Sequence, residues 1–450
     1  MGVELTQQQV ITDALIDRFK TDFQKDPVRK VIMNAIKKNG INAVAMNQEI
    51  PVNIPYTFSH EIQTGKITNQ KQSGRCWMFA GLNTLRLRVM ERCHLDTFEL
   101  SQNYLMFWDK FEKANYFLES ILETLDEPTD GRLIAWLLRA PIHDGGQWDM
   151  FVNLVEKYGV VPKDVMPETF ESSKTQRMNR VLTMKLRKSA AELRKAYQEE
   201  HVAVEDLRSR KEAILNEVYR ILCQSLGEPP TLFDFEYRDK DHHFYRDARL
   251  TPQAFYQKYV GVALQDYVSV INAPTKNKPF GKTYTVKFLG NVKGGKDVLY
   301  LNVEMDVFKE LTLKQLLDNE PVWFGCDVGQ MMDRDTGIMD LALFDFENTL
   351  NVSLGMTKAE RLEYGDSLMT HAMVFTGVHV VEGKPLRWKV ENSWGEDRGN
   401  KGFFVMSDAW FDEYMYQVVI HKKYLPDTLK AALDQEPIAL EPWDPMGSLA

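Results

Sequence analysis

The chain has 450 residues, 44% hydrophobic and 26% charged, and its 55 Lys and Arg against 64 Asp and Glu leave a net charge of −9. That length suits about three ordinary domains, and the balance excludes wholesale disorder, collagen and coiled-coil filaments. No stretch approaches the ~18 consecutive apolar residues of a membrane span, and an acidic total argues against the whole chain being a polyanion binder.

From the N-terminus, Met1 to Gln9 carries neither the basic nor the apolar region of a secretory signal. Met1-Gly2 with Thr6 fits a myristoylation pattern, which is set aside as too permissive. Two short helices are expected in the first fifty residues. Thr6 is placed to cap a run with Val10, Ile11, Leu15, Ile16 and Phe19, and Pro27 to open a second with Val28, Val31, Ile32 and Ala35. From Trp77 to Cys93, the apolar spacing of Phe79, Leu82, Leu85 and Val89 predicts a helix, and Leu105 to Phe117 and Ile134 to Leu138 follow. A charge-rich helical segment runs from about Val165 to Glu228. After Pro229-Pro230 the texture turns to strands, at Tyr284–Phe288, Val298–Val303, Val322–Cys326, Ala372–Val381, Arg387–Val390 and Gly402–Met406. Helices first and strands last indicate an α+β fold with the two segregated.

Several local patterns fail as sites. Gly281-Lys282-Thr283 ends like a phosphate loop, but Lys276 stands where its first glycine belongs. Asp333-x-Asp335-x-Gly337 begins like a calcium loop, with Phe344 where the bidentate glutamate belongs. His242-His243 are adjacent and read as two exposed histidines, and Gly365-Asp366-Ser367-Leu368-Met369 lacks the closing glycine of a serine elbow. Between Lys174 and Lys195, eight cations face one acid, Glu192. That block reads first as a solvated helix face, with a docking surface for a partner or nucleic acid as the alternative.

Four cysteines with no C-x-x-C pair imply neither a disulfide framework nor a zinc ribbon, and suit a reducing, cytoplasmic setting. One of them, Cys76, lies at the entry of the Trp77–Cys93 helix, where unpaired backbone N–H groups stabilise a thiolate. His371 opens one expected strand and Asn392 ends the next. As neighbours, those strands would let Asn392 orient His371 and His371 form an ion pair with the Cys76 thiolate. Gln70, upstream of the helix, is placed to offer its amide to an oxyanion beside the Cys76 backbone N–H. Nucleophile, base, orienter and oxyanion donor make a complete set for acyl transfer through a thioester.

On these residues the sequence resembles the papain superfamily of cysteine peptidases: Gln70 six positions before the nucleophile, Gly74-x-Cys76-Trp77, His371-Ala372, and Asn392-Ser393-Trp394-Gly395. Asp144-Gly145-Gly146-Gln147-Trp148 resembles the loop whose backbone pairs with bound peptide in that superfamily, which makes Gly145 and Gly146 candidate substrate-binding positions. Two features depart from the common pattern. Ser73 and Arg75 replace a cysteine and a small residue, and 295 positions separate His371 from Cys76 where ~130–150 are usual. With that excess and the ending Trp443-Asp444-Pro445-Met446-Gly447-Ser448-Leu449-Ala450, the whole chain resembles the bleomycin hydrolase and bacterial aminopeptidase C family.

The resemblance implies a two-lobed papain-like core, one lobe helical and one β-barrel-like, with a large, mainly helical insertion. Its parts would be an N-terminal arm and helical lobe (1–164), an insertion serving oligomerisation (165–283), a β-rich lobe (284–438) and a tail lying in the active-site cleft (439–450). It also implies a homohexamer, peptide substrates, broad specificity, and no metal or cofactor. The Ala450 carboxylate would face the ammonium of a substrate's first residue, making the enzyme an aminopeptidase. Trp394 would shield the Asn392–His371 contact. An additional nucleic-acid role through the basic block is the alternative, which the net charge disfavours.

Overall fold

A computed structural model describes residues 9–449, so Thr6 and Ala450 lie outside the described residues. The chain divides into two units. The smaller one comprises residues up to Ile54 with Leu341–Gly355. Its first helix, Asp13–Lys25, is capped by Thr12, whose hydroxyl accepts the Leu15 N–H, so Val10 and Ile11 precede the helix they were expected to join. Asp26 caps the second, Pro27–Asn39, with Pro27 at its first position as expected. Neither helix buries a residue, and Phe19, Phe23, Val28 and Val31 are exposed.

The larger unit, Pro55–Asp340 with Met356 onward, holds everything that follows. Its helices run Cys76–Arg92, Gln102–Leu122, Arg132–Arg139, Trp148–Tyr158, Gln176–Gln198 and Val204–Leu226. Cys76–Arg92 buries residues on most of its circumference, which is why its apolar spacing is so dense. Within 165–283, the Gln176–Gln198 and Val204–Leu226 helices are followed by a hairpin, Phe233–Arg238 with Phe244–Leu250. His242 and His243 are exposed in its turn. A strand from the same stretch, Tyr267–Ile271, enters the main sheet.

That sheet has twelve strands. At its centre His371–Val381 pairs antiparallel with Val322–Cys326 on one side and Lys384–Glu391 on the other. Lys384–Glu391 pairs in turn with Phe403–Ser407. Val322–Cys326 also pairs with Met415–His421, a strand the sequence pattern did not bring out. Six of its seven residues are buried, and burial on both faces removes the alternation by which strands are recognised. Arg86 of the first large helix reaches Glu391 at 2.8 Å, both 1% exposed, and ties that helix to the strand end before Asn392.

Candidate active site

Cys76 is the first residue of its helix and is buried. The backbone N–H groups of Ala372, Trp77 and Cys76 itself act on the sulfur to favour its thiolate, with Ala372 at the start of the His371–Val381 strand. Burial nevertheless pushes the thiol up to about 11, with a smaller contribution from the Asp144 carboxylate and those N–H groups acting the other way. His371, also buried, is pushed down to about 4 by burial, against its hydrogen bond to Asn392 and with the Arg334 charge. Each shift favours the neutral form of its group.

The tautomer of His371 follows from its neighbours. Asn392 Oδ1 accepts the Ser393 N–H at 2.7 Å and lies 2.9 Å from His371 Nε2. An oxygen in that position makes Nε2 the donor, so the neutral ring keeps its lone pair on Nδ1. Trp394 lies beside the ring at 4.9 Å between centroids, with the Arg334 guanidinium carbon 4.2 Å from the centroid of the Trp394 ring.

Gln70 is 7% exposed and its amide orientation is equally determined. Oε1 accepts the Ser393 hydroxyl at 2.6 Å, while Nε2 donates one hydrogen to Ser73 O at 2.7 Å and retains a second. Its backbone N–H bonds Ser393 O at 2.8 Å, so Gln70 and Asn392 are joined through one residue. Ser393 was visible only as a member of the Asn-Ser-Trp-Gly run; its two contacts with Gln70 are tertiary.

The glycine loop sits against the nucleophile helix. A Cβ on Gly146 would come within 2.5 Å of the Trp77 indole, so only glycine lets the loop approach this closely. Trp77 Nε1 donates to Asp144 O at 2.7 Å. Gly145 O accepts Lys113 Nζ at 2.7 Å, and Lys110 Nζ reaches Asp144 Oδ1 at 2.6 Å. Burial lowers Lys113 to about 8, with Asp109 opposing. Burial also works to raise Asp144, but Lys110 and hydrogen bonds from Asn179, Lys110 and Thr175 outweigh it and hold that carboxyl well below its usual range. These two lysines were missed as supports. Their only sequence signal is a pair of cations three apart, Lys110 and Lys113, in a helix rich in aromatic and aliphatic residues.

The C-terminal segment is anchored at several points. Ile438–Leu440 pairs parallel with Lys282–Val286, Lys278 reaches Asp444 at 2.9 Å with both nearly buried, and Tyr300 OH donates to Met446 O at 3.1 Å. Ser448 then bridges two walls. Its carbonyl accepts Gln147 Nε2 at 2.7 Å, next to Gly146, and its hydroxyl donates to Met369 O at 2.7 Å, two residues before His371. Gly447, Ser448 and Leu449 also wall a hollow of about 420 Å3 behind the glycine loop, with Lys113, Trp136 and Phe288.

The Peptidase C1-like family profile matches residues 10–447 of this chain. Aminopeptidase C of Listeria monocytogenes is 53% identical over 450 residues, covering all of both chains. Bleomycin hydrolase of Gallus gallus is 45% identical over 421 residues, 90% of this chain and 91% of its own. A crystal structure of PepW from Lactobacillus rhamnosis HN001 superposes with a TM-score of 0.97 at 54% identity, covering 99% of this chain and 100% of that one.

Proposed function

The chain belongs to the Peptidase C1-like family and is a cysteine-type aminopeptidase of papain-like fold, and from that premise we propose that it removes N-terminal residues from short peptides, with broad side-chain tolerance. Cys76 is the nucleophile. As its sulfur attacks the first peptide carbonyl carbon, His371 Nδ1 takes the thiol proton, and Asn392 holds the ring through Nε2. The developing oxyanion is received by the free N–H of Gln70 Nε2 and the Cys76 backbone N–H. The carbon–nitrogen bond breaks, His371 returns the proton to the leaving amine, and a water deprotonated by the same nitrogen cleaves the thioester. Gly145 and Gly146 offer backbone groups to the substrate.

The observation that carries the exopeptidase reading is Ser448 bridging Gln147 and Met369, because chain so anchored beside the nucleophile leaves little room for upstream residues. In this reading the Ala450 carboxylate meets the substrate ammonium. Opposite charges ~4 Å apart are worth up to ~4 kcal/mol at an effective dielectric of 20, and half of that exceeds a tenfold preference. A fluorogenic peptide offered with free and with acetylated N-terminus tests this. Cleavage of the free form alone is expected, and equal cleavage of both would make the enzyme an endopeptidase.

The proposal includes self-association into a homohexamer and a cytoplasmic location. The exposed Phe19, Phe23, Val28 and Val31 support the first as an uncovered apolar surface; a monomer in sedimentation at micromolar concentration would overturn it. Among the described residues no helix is long and apolar enough to cross a membrane. A nucleic-acid role has less support, since Lys185, Lys188, Arg187, Arg194 and Lys195 of the basic block are engaged with the chain itself.

A further inference from the structure

We propose that the hollow at the start of the Gln176–Gln198 helix is a binding site for the C-terminal carboxylate of a short peptide substrate, an inference that rests on the aminopeptidase reading. The hollow, of about 480 Å3, is lined by Phe170, Glu171, Lys174, Gln176, Arg177 and Arg180. Lys185, Lys188 and Lys195 of the same block pair with Glu217, Glu192 and Glu199, whereas Lys174, Arg177 and Arg180 have no acidic partner within salt-bridge distance among the described residues. The one carboxylate present, on Glu171, receives the Met178 N–H at 3.2 Å. Arg177 and Arg180 on the helix and Lys174 just before it are like charges around one hollow and repel, and an anion in the hollow relieves that repulsion. Arginine forks match a carboxylate bidentately. Phe170, 75% exposed at the rim, offers an apolar wall to the last side chain.

What ties the hollow to the reaction is its seat on the loop that carries Gln70 and Cys76. Ser173 O, next to Lys174, accepts the Gln72 N–H at 2.9 Å. Arg75 pairs with Glu168 through two hydrogen bonds of 3.0 and 2.8 Å. Thr175 Oγ1 and the Gly74 N–H both bond Asp144 Oδ2, at 2.5 and 2.9 Å. The tail, by contrast, reaches the site through Gln147 and Met369. A peptide with its N-terminus at the tail and its first bond at Cys76 therefore has the Gln72–Gly74 edge open to its remaining residues, at ~3.4 Å each when extended. Every short peptide ends in a carboxylate whatever its sequence, so such a site adds affinity without narrowing side-chain range.

The test compares peptides from two to six residues long, each as free acid and as C-terminal amide, with an aminoacyl amide as the reference substrate. For wild type, KM should be about five- to tenfold lower for the free acid beyond a threshold length, with kcat unchanged, and the difference should shrink in high salt. Arg177→Ala/Arg180→Ala should abolish that difference while leaving the aminoacyl amide unaffected, which also reports a folded enzyme. Equal KM for acid and amide at every length, or a variant that raises both alike, overturns the proposal. So does a variant that loses salt-sensitive oligonucleotide binding with peptide KM unchanged. Peptide binding to Cys76→Ser by calorimetry repeats the acid–amide comparison without turnover. If the aminoacyl amide is not cleaved by wild type, the aminopeptidase reading fails on its own, and the calorimetry still decides the carboxylate site.

Discussion

Asp144 Oδ2 accepts the backbone N–H of Gly74 at 2.9 Å, so a carboxylate from the glycine loop holds the turn two residues ahead of the nucleophile. The same side chain takes Lys110 Nζ, Thr175 Oγ1 and Asn179 Nδ2. One nearly buried anion thus joins the nucleophile loop, the glycine loop and the long basic helix. Asp144→Ala leaves the fully buried Lys110 charge without its acidic partner, and breaking such a pair costs roughly 3–5 kcal/mol. A drop in thermal midpoint and a fall in kcat of more than tenfold are expected together; an unchanged midpoint would show that Lys110 is held by other means.

The buried His371 gives stability a pH dependence of definite sign. Its folded value, about 4, lies below the ordinary 6.5, so between those pH values the unfolded chain binds more protons than the folded one. Stability is full above about 6.5 and declines as pH falls toward 4, by about 3 kcal/mol from this group alone. Denaturant midpoints at pH 7 and pH 4.5 for wild type and His371→Phe measure it, and the wild type should lose more.

Catalysis should follow the same group. The acid limb of kcat/KM is expected near pH 4. Asn392→Ala removes the hydrogen bond that raises the ring, so the limb should move to lower pH while kcat falls roughly 10–100-fold through lost orientation. A limb that moved upward would contradict the assignment of Nε2 as donor to Asn392.

Gln70→Ala deletes the side-chain oxyanion donor, for which a loss of roughly 100–1,000-fold in kcat with little change in KM is expected. Ser393→Ala is the informative companion. It removes only the hydroxyl bonded to Gln70 Oε1, so it should show a smaller loss in the same parameter.

Lys278→Met leaves Asp444 without its partner, weakening the anchor of the C-terminal segment. Slow cleavage of acetylated peptide should appear at the expense of the preference for free N-termini, while activity on aminoacyl amides falls less. An unaltered preference would mean that the Tyr300 and Gln147 contacts suffice.

Much of this protein was legible in order along the chain. The helix beginning beside Cys76, the strands opening at His371 and closing before Asn392, and the family likeness each rest on residues near one another in sequence, where periodicity and motif spacing act. Legibility failed where burial erased the pattern. Met415–His421 shows no alternation because both its faces are covered, and Tyr267–Ile271, with four of its five residues buried, was not among the expected strands.

By itself the sequence determined which side chains were available for thiol chemistry, the α+β order of elements and the kinship with cysteine peptidases. Tertiary structure alone decided the burial of His371, the facing of Gln70, the seat of Ser448 and the three cations left unpaired around one hollow. Those depend on which groups lose water together and which partner each then finds. Burial and hydrogen bonding are set between segments hundreds of residues apart, and no local pattern records them.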